Sequence, residues 1–451
     1  MSLLRHVVIP QAPRQEKPDA TSIAPVGGMT RRGVVGRALA TGAGAALAAA
    51  GGQGLAAAQD ATPVADGSAS TLQTETGQAL YTLPNDHRWH GGAFYEQMEY
   101  WEWHYWTAFV KVVDTGEEWG LFYTTMRNAF IPQTGEPAVI NFVSLTDFGT
   151  KTFYSAREGI EQGGERAILP ADSTSPDDFE YGIDSGDGLS ITERYYHSDE
   201  RWAFQLSYAP SDDQVALEME VELVLEKPGY LPTTPSGVEE EGYSAEGLFN
   251  PETMYGLSYY YFAPKMALTG TITAGDQTHT VEGKAWLEHQ WGNYSTEDPA
   301  AYRWRWGSVR FDDGSGINWR QWERGPDNAA VFDLNHYAIY TAEGAVRYGY
   351  GRDLTYEVIS TWVSPHTGRH YGLYGLLRTP VGTFYVSPMV EDQEILIPGM
   401  TVPLWEGAME VRRGSSDGEL IGRMYMEELF NDPGLPVGGP LARQLPLSGV
   451  N

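Results

Sequence analysis

From Tyr100 to Val113 the chain reads YWEWHYWTAFVKVV, with bulky side chains at nearly every second position. Trp101, Trp103, Tyr105, Thr107 and Phe109 fall on one face at period two, which predicts a strand. Asp114-Thr115-Gly116 supplies a turn, and Trp119 to Met126 reads as the returning strand. The same pattern comes back late in the chain. Tyr302, Trp304 and Trp306 alternate, Asp312-Asp313-Gly314 breaks the run, and Ile317 to Trp322 returns. Two aromatic hairpins with Asp/Gly turns point toward an internal duplication. Helical periodicity is scarce, a short helix near Pro251 to Met254 being the exception. The class expected is all-β, sandwich or barrel.

Pro228 to Asn250, PGYLPTTPSGVEEEGYSAEGLFN, is rich in Pro, Gly and Glu. It predicts a junction between two β domains, residues 80–230 and 240–451. Residues 59–78 lack apolar periodicity and read as a flexible linker.

Composition narrows the partners. The chain has 451 residues, 60 acids against 30 bases and a net charge of −30, which opposes nucleic acid and anionic lipid as partners. It has no cysteine, which excludes disulfides, thiolate metal sites and cysteine nucleophiles. Near the start, Arg31-Arg32 precedes an uncharged run from Ala38 to Gln59 that ends in Ala56-Ala57-Ala58. Together these predict a twin-arginine signal peptide over residues 1–58, with Met29 as an alternative start. A retained membrane anchor is the competing reading, and a run of Ala and Gly favours insertion only weakly. The mature protein is expected outside the cytoplasm, with no membrane insertion after cleavage.

Several stretches together resemble a known family. Glu102-Trp103-His104-Tyr105-Trp106-Thr107-Ala108 is similar to its E-W-W-Y-x-T-G strand, with Ala108 in place of glycine. Gly120 to Arg127, GLFYTTMR, is similar to its G-x-x-x-T-x-x-R strand, and Tyr243-Ser244 and Tyr259-Tyr260-Tyr261 to its Y-S and tyrosine-rich segments. Gly283, Trp286, His289, Trp291 and Gly292 match its G-x-x-W-x-D-H-x-W-G box, with Glu288 where aspartate is usual. Trp304, Trp306, Asp312-Asp313-Gly314 and Tyr425-Met426-Glu427 follow in the family's order. Over most of residues 95–430 the chain resembles the lipocalin-like AttH and hydroxyneurosporene synthase (carotenoid 1,2-hydratase) family. The resemblance implies two packed lipocalin-like antiparallel β-barrels and an apolar isoprenoid- or polyketide-like ligand. One departure argues against carotenoid hydratase itself. The strand after the Asp-Asp-Gly turn, Ile317 to Trp322, has no acid where that family carries Tyr-x-Asp.

The richest chemistry lies in Gly283 to Gly292, GKAWLEHQWG. Hydration or cyclisation of an alkene starts with protonation of carbon, which needs a carboxylic acid kept neutral by apolar burial. Indole faces stabilise the cation that results. Glu288 is the candidate acid and His289 the candidate relay, with Trp286, Trp291, Trp304, Trp306, Tyr260 and Tyr105 as candidate ligand contacts. On a strand Glu288 and His289 point to opposite faces, so one of the two lines the cavity. A structural reading stands beside this one. Aromatic strands fill barrel interiors, and Glu102, Arg127, Arg324 and Glu427 are ion-pair candidates, with Arg303, Arg305 and Arg310 also within choice. No metal-ligand spacing and no G-x-S-x-G elbow occurs, so neither metal, cofactor nor nucleophilic serine is expected. A secreted glycoside hydrolase and a carrier without turnover remain the alternatives. Two carboxylates across an open aromatic groove would favour sugar, and a cavity without an acid would favour a carrier.

Overall fold

The computed structural model describes residues 71–73, 79–90, 100–128, 138–161, 166–168, 170–184, 189–208, 216–240, 257–293, 302–324, 329–330, 335–395 and 403–429. The expected signal peptide, most of the linker, Tyr243-Ser244 and the short helix near Pro251 lie outside them. Among the described residues there is no α-helix, only the single 3-10 turns Asn85–His87 and Gly351–Asp353. The chain is all-β, in two large curled antiparallel sheets packed together, with a two-stranded sheet of Thr71–Gln73 and Ala79–Thr82 besides.

The first sheet carries the early aromatic hairpin, Tyr100–Val112 with Glu118–Asn128. Tyr100–Val112 also pairs with the long strand Gln277–Asn293, which pairs in turn with Leu257–Ala274. The second sheet repeats this plan. Tyr302–Phe311 pairs with Gly316–Arg324 on one side and with the late strand Leu420–Leu429 on the other. Each aromatic hairpin is thus closed by the last long strand of its own sheet. The turns follow their chemistry, since Gly116 and Gly314 take φ of +76° and +85°, where a side chain would be strained.

One boundary differs from the sequence expectation. Strands 257–274 and 277–293 hydrogen-bond within the first sheet, so the break between sheets falls between Asn293 and Tyr302 rather than in 228–250. The Pro-rich segment turns back locally instead. Leu231–Pro232 and Val238–Glu240 both pair with the start of strand 257–274. Pro264 is tolerated in that central strand because the pairing skips a step between Ala263 and Met266. GKAWLEHQWG consequently belongs to the first sheet, not to the second domain. Gly283 opens it where a Cβ would meet the Phe109 carbonyl oxygen at 2.2 Å, so the strands pack closely there.

Three cores result. Trp106, Trp202, Phe204, Tyr261 and Trp291 fill the first sheet's concave side, and Trp319, Tyr371, Trp405 and Met409 fill the second's. A third core lies between the sheets and draws Tyr105, Phe262 and Trp286 from one and Trp306, Tyr340 and Tyr425 from the other. Tyr100–Val112 as far as Val110, and Gln277–Asn293 from Ala285 to Gly292, are walled by core on both faces, so alternation there separates two interiors rather than inside from outside.

Candidate functional site

Alternation along Gln277–Asn293 sends Trp286 and Glu288 into the layer between the sheets. Leu257–Ala274 adds Tyr260 and Phe262 beside them, and Tyr100–Val112 adds Tyr105. The second sheet contributes Trp304, Trp306 and Arg310 from Tyr302–Phe311, Glu406 from Leu404–Arg413, and Tyr425 and Glu427 from Leu420–Leu429.

Glu288 accepts hydrogen bonds on Oε2 from the Tyr260 hydroxyl and from Trp286 Nε1, the latter at 2.9 Å. Trp306 Nε1 donates to the same Tyr260 oxygen at 3.0 Å, tying the two sheets together. Trp286 stacks on Phe262 with centroids 4.4 Å apart and meets Trp306 edge-on at 6.1 Å. Tyr105 donates to Glu406 Oε1 at 2.8 Å, and Trp304 Nε1 donates to Glu427 Oε1 at 2.6 Å. Glu406 Oε2 is buried with no hydrogen-bond partner.

No arginine or lysine pairs with Glu288, Glu406 or Glu427 among the described residues. Burial pushes the Glu288 carboxyl up to about 8, against its two hydrogen bonds, and the nearby Glu427 adds to the rise. Burial likewise raises Glu406, helped by Glu427 and Glu288, and raises Glu427. The basic groups nearby are occupied elsewhere. Arg320 pairs with Glu239 at 3.0 Å and donates to Gln290 Oε1 at 3.2 Å. Arg310 donates to Thr107, and its guanidinium lies 6.0 Å from the Trp286 ring. Burial lowers Arg310 to about 10, within the range where it remains a cation at neutral pH.

A groove of about 460 Å³ opens beside this layer, lined by Phe109, Lys111, Glu118, Leu268, Lys284 and Arg423 among others. Glu288 is not part of its lining. Phe109 links the two regions, with its ring 5.4 Å from Tyr425 and Arg310 5.2 Å above it.

His289 faces the opposite way, into the first sheet's interior. Its Nε2 lies 2.9 Å from Glu102 Oε1, and the same oxygen lies 2.7 Å from His90 Nδ1. His104 sits next to His289 at 4.3 Å between centroids, with Nδ1 2.7 Å from Glu193 Oε2. Burial alone would raise the Glu102 carboxyl, but the His90 charge and hydrogen bonds from His289 and His90 hold it well below its usual range. Burial opposes the charged form of His90, yet Glu102 and Asp86 push it up to about 9. Burial and the neighbouring His104 push His289 down to about 3. Two imidazoles and a carboxylate here have ligand atoms within 4.8 Å of one another, close enough to share one cation.

The structure therefore separates the two catalytic candidates onto opposite faces. Tyr105, Tyr260, Trp286, Trp304 and Trp306 gather around Glu288, whereas Trp291 stays with His289 and stacks on Tyr259 at 5.3 Å and His90 at 4.5 Å. The ion-pair candidates have these partners among the described residues. Glu427 accepts from Trp304, and among the described residues no arginine pairs with it. Glu102 is bound by histidines, and its cross-strand neighbour Arg127 donates to the His90 carbonyl at 2.9 Å. The Arg303 and Arg324 side chains lie outside the described set, and Arg305 pairs with Glu428 at 3.0 Å.

Sequence reasoning missed Glu406, which shares its strand face with Leu404 and Ala408 and, toward the strand's end, with a second acid, Glu410. It also missed His90 and Asp86, whose only local sign is the crowding of His and Trp in His87-Arg88-Trp89-His90, and His104, hidden among the aromatics of YWEWHYWTAFVKVV.

The model of the AttH-like family matches residues 74–428. A crystal structure of a protein described as an AttH from Nitrosomonas europaea superposes with a TM-score of 0.60 at 23% identity, covering 78% of this chain and 97% of that one. Kievitone hydratase from Nectria haematococca superposes with a TM-score of 0.51 at 14% identity, covering 78% and 96%. No curated protein matches. Both neighbours share the two-sheet lipocalin-like fold, and the family model spans both sheets: this chain belongs to the AttH-like family.

Proposed function

We propose that this protein receives an apolar, unsaturated isoprenoid- or polyketide-like ligand in the layer between its sheets and protonates it from Glu288. The observation that carries this reading is a buried carboxyl pushed up to about 8, set against indoles and lacking a cationic partner. Such a group holds its proton at neutral pH. Both of its hydrogen bonds fall on Oε2, which leaves Oε1 to carry the acid proton.

The step balances without a cofactor. The alkene π pair takes the Oε1 proton to form a C–H bond, and the neighbouring carbon becomes a cation facing Trp286 and Trp306. Glu288 is left as a carboxylate, which the Tyr260 hydroxyl and Trp286 N–H stabilise. Water, or a second double bond, then supplies the electron pair that quenches the cation, and the released proton returns to Glu288. The first course is hydration and the second cyclisation. Kievitone hydratase, which shares the fold, bears a hydratase name, and that analogy favours hydration only at the level of class. A glycosidase pairs its acid with an ionised carboxylate, whereas burial raises all three acids here, which speaks against sugar.

Arg31-Arg32 and Ala56 to Ala58 support export, which would place this chemistry outside the cytoplasm. Lysine at both arginines is expected to hold the precursor inside the cell, and secreted protein that still began at Met1 or Met29 would refute cleavage.

The test of the activity uses lipophilic extract of the host, incubated with the protein in heavy water and followed by mass spectrometry. A product carrying solvent deuterium at carbon, formed by the native chain and absent with Glu288→Gln, supports the proposal. A ligand that binds and returns unchanged makes the protein a carrier.

A further inference from the structure

We infer that His90, Glu102 and His289 form a binding site for one zinc-class divalent cation inside the first sheet's interior, separate from the acid layer. It does not rest on the reading of Glu288. Three donor atoms, His90 Nδ1, Glu102 Oε1 and His289 Nε2, lie within 4.8 Å of one another. Both nitrogens lie close to the single carboxylate oxygen, at 2.7 and 2.9 Å. A tetrahedral zinc with bonds of about 2.0–2.1 Å holds its ligand atoms about 3.3 Å apart, so each nitrogen needs to move from the carboxylate oxygen by only about half an ångström. Two imidazoles and one carboxylate make a donor set that zinc uses with its fourth position open to water.

The outer contacts are those a ligating histidine needs. The other nitrogen of His90, Nε2, lies 3.3 Å from Asp86 Oδ1, and the other nitrogen of His289, Nδ1, lies 3.0 Å from the Asp86 carbonyl oxygen. One residue therefore fixes the ring orientation of both histidines, as carboxylates and carbonyls behind metal-bound imidazoles do. Glu102 is held as well, since the His90 backbone N–H reaches Oε1 at 3.1 Å and Oε2 at 3.0 Å. Beside the cluster, His104 is buried with Nδ1 on Glu193 and Nε2 without a hydrogen-bond partner. A water on the open metal position is the kind of group that satisfies such an orphaned nitrogen. His90 is 11% exposed, so the cluster borders solvent rather than being sealed.

The untagged full chain, stripped with chelator, is titrated with zinc chloride by calorimetry and with cobalt chloride by visible absorption. One equivalent of zinc bound at micromolar Kd or tighter, with tetrahedral cobalt bands, is expected. His90→Ala and Glu102→Gln are expected to weaken binding at least a hundredfold, and Asp86→Ala tenfold to a hundredfold with stoichiometry kept. His279→Ala, on the same strand as His289 but outside the cluster, is expected to leave zinc affinity unchanged. Circular dichroism checks each variant, and His90→Ala at the rim decides the matter if Glu102→Gln does not fold. Absence of zinc uptake by the native chain overturns the inference, as does uptake that survives His90→Ala.

Discussion

Glu288 and Glu102 are both buried carboxyls on paired strands of one sheet, yet burial leaves them in opposite states. Glu288 is 4% exposed, has only neutral donors, and is pushed up to about 8. Glu102 is fully buried, is shared by two histidines, and is held below the usual carboxylate range. Depth is the same, so the partner decides the charge. Consecutive residues carry the contrast, because Glu288 faces the layer between the sheets and His289 the first interior. A strand walled by two cores thereby supports a proton-donating environment on one face and an ionic, cation-ready one on the other.

The largest test of this contrast is Glu288→Gln, which keeps shape and removes the proton. Product formation is expected to fall about 10²–10⁴-fold, the range of a general acid, with the melting temperature at neutral pH unchanged or raised. Retained turnover would place the acid elsewhere, with Glu406→Gln the next variant to assay. On the other face, Glu102→Ala strands the His90 charge in a buried site. Urea unfolding is expected to show a loss of about 3–5 kcal/mol, and a loss under 1 kcal/mol would mean the ionic cluster is not a tight pair.

Stability against pH sharpens the comparison further. The folded pKa of Glu288 lies above its unfolded value, so the folded state binds more protons. The contribution is complete below about pH 4 and is lost as pH rises toward about 8. The native chain is therefore expected to lose a few kcal/mol relative to Glu288→Gln between about pH 5 and 8. Parallel profiles for the two would contradict it. The smallest effects separate the indoles. Trp286→Phe is expected to slow product formation about fivefold, the cost of roughly 1 kcal/mol in aromatic contact, whereas Trp291→Phe leaves the rate per folded molecule unchanged. Equal effects of the two would break the division between faces.

Much of this was readable in the chain. Period two in YWEWHYWTAFVKVV and the Asp-Asp-Gly turn give both aromatic hairpins, and alternation alone separates Glu288 from His289. Strand membership was not readable, because pairing across a sheet is non-local. The Pro- and Glu-rich stretch that reads as a junction instead folds back on Leu257–Ala274 through Leu231–Pro232 and Val238–Glu240. The His90, Glu102 and His289 cluster was equally hidden. Its members stand 12 and 187 positions apart, so no local spacing announces them. Glu427 shows the converse, since the arginine-rich strand Tyr302–Phe311 suggested partners for it, whereas Arg305 of that strand pairs with Glu428.

The protonation state of Glu288 at neutral pH bears most directly on all of this. Carbon-13 NMR of glutamate carboxyls, titrated from acid to alkaline pH and assigned by the signal missing in Glu288→Gln, reads it without any substrate. A Glu288 resonance that titrates near pH 8 is the expected result. A resonance already ionised by about pH 5, the ordinary behaviour of glutamate, would contradict the assignment of Glu288 as the acid.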